Sequence, residues 1–78
     1  MQIAIGNLSV MTTARQLADL FLPFGQVTSS RILGAGPSEY IRREGLIEME
    51  NACGRKAIMK LHQILFMNSY IDVDEVRD

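Results

Sequence analysis

The chain opens on strict alternation. Over residues 1–8, Ile3 and Ile5 are set against Gln2 and Ala4, the period of a strand with one face buried, and Gly6-Asn7 signal its end. From Thr13 the spacing lengthens. Leu17, Leu20 and Phe21 recur at three and four residues, which predicts an amphipathic helix with one stripe against a core. Thr13 and Gln16 have the spacing of a capping box, a reciprocal pairing that satisfies two orphan amides at the helix start. Pro23 has no amide proton and biases Leu22 toward extended backbone, so the helix is expected to stop near Leu22, with Phe24-Gly25 completing the stop.

Residues 27–33, rich in β-branched and short polar side chains, predict a second strand, and the glycine-rich stretch 34–38 a loop. Alternation then returns over residues 40–49. Ile41, Ile47 and Met49 share one face, and Tyr40, Arg42, Glu44, Leu46 and Glu48 share the other, so this third strand carries a polar outer surface. A second helix is expected over 52–62, with Ala57, Ile58 and Leu61 as its stripe and Asn51 as its N-cap. Gly54 is expected to weaken its first turn by about 1 kcal/mol relative to alanine. Leu65, Phe66 and Met67 precede a tight turn at Asn68-Ser69, and a final strand over 70–76 sets Ile71 and Val73 against Asp72 and Asp74. The order β-α-β-β-α-β is an α+β arrangement, the ferredoxin-like sandwich. It packs two helices on one face of a four-stranded antiparallel sheet and leaves the other face open.

Length narrows this to one domain spanning 1–78, because a chain this short buries only roughly 60% of its unfolded surface and has no material for a second core. An apolar fraction of 47% with 22% charged residues is that of a globular protein. No apolar run is long enough to span a bilayer, and the alternating pattern begins too early to leave room for a secretory leader, so a soluble, cytoplasmic protein is expected. The lone cysteine, Cys53, reads as a reduced, buried thiol, and His62 as a surface or capping residue near a helix C-terminus, where a cation interacts favourably with the macrodipole. One histidine and one unpaired thiol make no constellation of base and nucleophile, and there is no Cys-x-x-Cys clip. No enzymatic activity, metal site, cofactor or small-molecule substrate is therefore expected. A net charge of −1 lacks the basic surplus usual in nucleic-acid binders.

Against that charge stands a set of motifs. Ile3-Ala4-Ile5-Gly6-Asn7-Leu8 looks like the RNP2 strand motif, and residues 42–49, from Arg42 through Glu44, Gly45, Leu46, Ile47 and Glu48 to Met49, occupy the place of RNP1. Leu17, Leu20, Phe21, Phe24, Gly25 and Val27, then Ala57-Ile58 with Leu61, then Phe66-Met67, then Ile71 and Val73, follow in order at the right distances. Over essentially its whole length the chain resembles the RNA recognition motif family, of the small, single-domain, bacterial-type kind with degenerate RNP1 and RNP2.

The resemblance implies a non-catalytic module that contacts single-stranded RNA across its open sheet face. In that family bases stack on one aromatic from RNP2 and two from RNP1. Ala4, Glu44 and Leu46 hold those places here, which removes roughly 3–9 kcal/mol of potential stacking if each base contributes about 1–3. Arg42 matches the basic first residue of RNP1, Arg31 should face the same side, and Tyr40 and Tyr70 share the outward parity. The expected RNA-contacting set is therefore Ala4, Arg31, Arg42, Glu44, Leu46 and Tyr70, with weak binding. The chain ends at the last strand, so no basic or glycine-rich tail is expected to add affinity. The alternative reading is a protein partner or homodimer docked on Ala4, Leu46 and Tyr70.

Overall fold

The computed structural model describes residues 1–33 and 43–76. The loop predicted over 34–38, together with Tyr40, Ile41 and Arg42, lies outside the described residues. β1 (Gln2–Leu8) buries Ile3, Ile5 and Leu8 completely. α1 (Ala14–Phe21) begins with the expected capping box: Gln16 N donates to Thr13 Oγ1 at 3.1 Å, and Thr13 N donates to Gln16 Oε1 at 2.9 Å. Leu17 and Phe21 are its buried residues, and a 3-10 turn, Leu22–Phe24, carries Pro23 just after the helix end. Leu22 keeps helical backbone, φ −53° and ψ −38°, rather than the extended one expected before proline, because Pro23 sits in the first positions of that turn, where its missing amide costs no bond. Gly25 follows with φ 151°, backbone that side chains rarely adopt, and a Cβ there would lie 2.6 Å from Cys53 Sγ. Glycine thus lets the exit of α1 rest directly on the second helix.

β2 (Val27–Leu33) and β3 (Arg43–Met49) pair antiparallel, α2 (Asn51–Leu61) follows, and three short strands complete the chain: β4 (Leu65–Phe66), β5 (Ser69–Tyr70) and β6 (Asp72–Glu75). β2, β3, β1 and β6 form the antiparallel sheet in that order. The core joins Ile3, Ile5, Ile47, Met49, Ile71 and Val73 of the sheet side to Leu17 and Phe21 of α1 and Ala57 and Leu61 of α2. Each such aliphatic or aromatic side chain contributes about 1.5–3 kcal/mol by leaving water.

Three expectations are amended. First, the helix cap lies one residue earlier. Gly54 N donates to Glu50 O at 2.8 Å, so Glu50 is the N-cap, without a side-chain bond, and Asn51 is already helical. Second, the cost expected at Gly54 has a packing counterpart, since a Cβ on it would collide with Met1 Sδ and lie 2.8 Å from Met1 Cγ. Its bare Cα leaves that space to the Met1 side chain. Third, the last strand is divided. The turn is centred on Met67 and Asn68, with φ 49° and 65°, rather than on Asn68-Ser69, and the two-residue strands on either side form a separate hairpin. Positive φ at both central residues matches the twist of a hairpin. The ladder between β1 and β6 ends at Gly6 opposite Asp72, so Tyr70 pairs with Leu65 instead. Ile71, fully buried, bridges the two sheets: its N donates to Ile64 O at 3.1 Å, and its carbonyl accepts from Gln63 N at 2.7 Å.

β6 is an edge strand, and edge strands with free amides invite other chains. Two of its amides are closed from within. Val73 N donates to His62 Nδ1 at 3.0 Å, and Glu75 N donates to Asp74 Oδ1 at 2.8 Å. His62, exposed at the C-cap of α2, thus closes this edge with its ring.

Gly45 is buried in mid-sheet, where a Cβ would collide with Leu17 Cδ2 and lie 3.1 Å from Leu8 Cδ1. Gly45→Ala should therefore cost about 1–3 kcal/mol through overpacking, read from chemical denaturation. Gly6→Ala is the control, since its added methyl meets Asp72 Cβ only at 3.7 Å; equal losses in the two variants would refute the packing explanation. His62→Ala leaves the Val73 amide without its acceptor. A loss of about 1–3 kcal/mol is expected, with faster hydrogen exchange at Val73.

Candidate nucleic-acid interface

The helices cover one face of the sheet, and register decides what stands on the other. Ala4 pairs with Leu46 on one side and with Asp74 on the other, and Leu46 pairs with Arg31. Paired residues in a sheet point the same way, so Arg31, Leu46, Ala4 and Asp74 form one row across the open face. The row on one side of it includes Leu33 opposite Glu44, and the row on the other includes Ser29, Glu48 and Gln2. Intervening residues point inward: Ile5 is opposite Gly45, Ile3 is opposite Ile47, and Ser30 Oγ donates to Ala14 O of α1 at 2.7 Å. Ala4, Arg31, Glu44, Glu48, Asp72 and Asp74 are exposed, whereas Leu46 and Leu33 are half-buried. The centre of the face is a shallow apolar step, Ala4 beside Leu46, ringed by charge.

That charge is mainly negative. Among the described residues Arg31 shares the face with Glu44, Glu48, Asp72 and Asp74, and no carboxylate lies within ion-pair distance of it. Two of the acids are already engaged locally: Asp72 Oδ1 accepts from Gln63 Nε2, and Asp74 Oδ1 accepts from the Glu75 amide. Glu44 and Glu48 stand on the middle strand and dominate the potential there.

The structure thus brings Ala4, Arg31 and Leu46 into one row, with Glu44 in the next. Arg42 lies outside the described residues. Tyr70 stands apart. It belongs to β5 rather than to the four-stranded sheet, its carbonyl accepts from Asn7 Nδ2 at 2.8 Å, and 61% of its surface is in water. Its neighbour across the hairpin, Leu65, is 58% exposed and was no part of the expected site. The signal was present in the sequence: Leu65-Phe66 and Ser69-Tyr70 flank a two-residue Met67-Asn68 turn, and asparagine tolerates positive φ.

A model of the RNA recognition motif matches residues 3–72. The chain belongs to the RNA recognition motif family. Among solved structures it is similar to the RNA binding protein PG1, 29% identical over 100% of this chain and 95% of that one, with a TM-score of 0.88. It is also similar to Sex-lethal RNA recognition domains 1 and 2 from Drosophila melanogaster, 22% identical over 99% of this chain and 50% of that one, TM-score 0.85. The Rna15 RRM with bound RNA (GU) is 16% identical over 99% of this chain and 83% of that one, TM-score 0.81. The last two likenesses concern the fold. No curated protein matches the chain.

The segment resembling RNP2 is β1, and the described part of the one resembling RNP1 is β3, adjacent in mid-sheet. On these two strands this member of the RNA recognition motif family presents a methyl, a carboxylate and an isobutyl group outward, at Ala4, Glu44 and Leu46. No helix among the described residues is long and apolar enough to cross a membrane.

Proposed function

We propose that this chain is a non-catalytic RNA-binding module, one domain over 1–78 working in the cytoplasm, that holds single-stranded RNA weakly across its open sheet face. The family match over residues 3–72 carries the reading, and the uncovered face supports it. Ala4 and Leu46 offer the step on which a sugar or base edge rests, and Arg31 beside Leu46 supplies a charge for phosphate, with Arg42 as the second. Tyr70 contributes from the rim. Glu44 works against the contact, because its carboxylate stands where a base or phosphate would lie.

Weakness follows from the missing rings, and the salt dependence follows from the few cations. Each phosphate neutralised on a single strand contributes roughly −0.7 to the slope of log K against log salt, so two arginines give about −1.4. Titrating random-sequence single-stranded RNA at several salt concentrations should return that shallow slope, and Arg31→Ala should reduce it by about 0.7. No binding at high micromolar protein in low salt would overturn the function. Glu44→Phe restores one stacking position and removes one negative charge. It should tighten binding by about 1–3 kcal/mol, roughly 5- to 150-fold, and an unchanged affinity would show that the lost rings are not what limits it.

A further inference from the structure

We propose that the β4–β5 hairpin carries an RNA contact of its own, a platform of Tyr70 and Leu65 that stacks one unpaired nucleobase at the rim of the sheet. This rests on the RNA-binding reading above and adds to it a site off the four-stranded sheet. Tyr70 and Leu65 are directly opposite in the hairpin, so their side chains lie side by side on one face. Both stay in water, at 61% and 58% exposure, and neither joins the hydrophobic core. Among the described aromatic residues, Phe21 is buried and Phe24 and Phe66 are packed partly against the core, which leaves Tyr70 as the ring with a face to offer.

A two-residue hairpin is marginal by itself, and this one is fastened from several sides. Asn7 Nδ2 donates to Tyr70 O at 2.8 Å, and Thr12 Oγ1, completely buried, donates to Met67 Sδ at 3.7 Å. Gln63 and Ile64 hold Ile71 immediately after it. The non-glycine residues with positive φ among those described are Asn7, Gln63, Met67 and Asn68. Two form the turn of the hairpin, one bonds to the carbonyl of Tyr70, and one bonds to Ile71 beside it. The left-handed backbone of the described non-glycine residues thus gathers around this hairpin and its anchors. Met11, Met59 and Leu22 are comparably exposed, so what distinguishes this pair is an aromatic ring set beside an aliphatic side chain on an anchored hairpin.

The occupant indicated is a base. The platform is one ring and one branched side chain, an area suited to a single nucleobase, and any base has a π face to lay on a tyrosine. It also adjoins the RNP2-like strand: Asn7, which grips the Tyr70 carbonyl, is three residues beyond Ala4, about 10 Å along the chain. A strand of RNA crossing the centre of the sheet reaches this rim at its next step. The rim then supplies the stacking that Ala4, Glu44 and Leu46 no longer provide.

Tyr70→Leu keeps an apolar cross-strand pair and removes the ring, whereas Tyr70→Phe keeps the ring. In anisotropy titrations with random-sequence single-stranded RNA, Tyr70→Leu should weaken binding roughly 5- to 150-fold, as the loss of one stacked base does. Tyr70→Phe should stay within about twofold of the parent, with thermal melting unchanged in both. Ultraviolet crosslinking should place adducts on the peptide containing Tyr70. A Tyr70→Leu variant that binds like the parent while Arg31→Ala binds less, or adducts confined to peptides of β1 and β3, overturns the platform and leaves the RNA-binding function standing. A parent protein that binds no RNA overturns both.

Discussion

Burial of Ile3, Ile5 and Ile47 beneath the two helices is the constraint on which the remainder of the molecule depends. Side chains alternate strictly along a strand, so seating these three inward forces Ala4, Glu44, Leu46 and Glu48 outward on the neighbouring middle strands. Slipping β3 by one residue would place Glu44 and Glu48 in the core, and slipping β1 would turn Ile3 and Ile5 out to water in exchange for Gln2 and Ala4. Gly45 completes the arrangement by leaving room for Leu17, which sets how closely α1 lies on the sheet. The chemistry of the open face is thus held by the packing of the closed one.

The same constraint lets the open face of the two middle strands carry no aromatic ring while the fold stands. Inward and outward positions interleave along β1 and β3, the inward ones in the core and Ala4, Glu44 and Glu48 exposed, so exchanging an outward side chain leaves the core filled. An alanine beside a leucine, with glutamates around them, is stable on an exposed sheet face because no side chain there is asked to fill a core. What changes is affinity. A face with Arg31 as its described cation attracts RNA weakly at long range, and any tighter hold must come from short-range contacts such as stacking at the margins.

Those margins are where the structure concentrates its irregularities. The β1 ladder shifts register between Ile5 and Leu8, Asn7 turns to positive φ inside that irregularity, and its side chain reaches the hairpin. Beside it, the edge of β6 is closed by the His62 ring and the Asp74 carboxylate. One side of the sheet therefore ends in a surface that refuses further strands, next to a hairpin that presents apolar side chains outward.

The sequence alone determined the alternation that names the strands, the capping box at Thr13 and Gln16, the stop at Pro23 and the order of elements, because each depends on neighbours a few residues apart. It also determined which residues share the outer parity of β1 and β3, since a period of two is local. It left undecided the division of the last predicted strand, because Tyr70 chooses Leu65 over β1 only once the β1 ladder has ended at Gly6. It also left undecided the closeness of Met1 to Gly54 and the bond from the Val73 amide to the His62 ring. Those outcomes belong to the tertiary structure, because they turn on groups from ten to more than fifty residues apart, whose meeting no local pattern encodes.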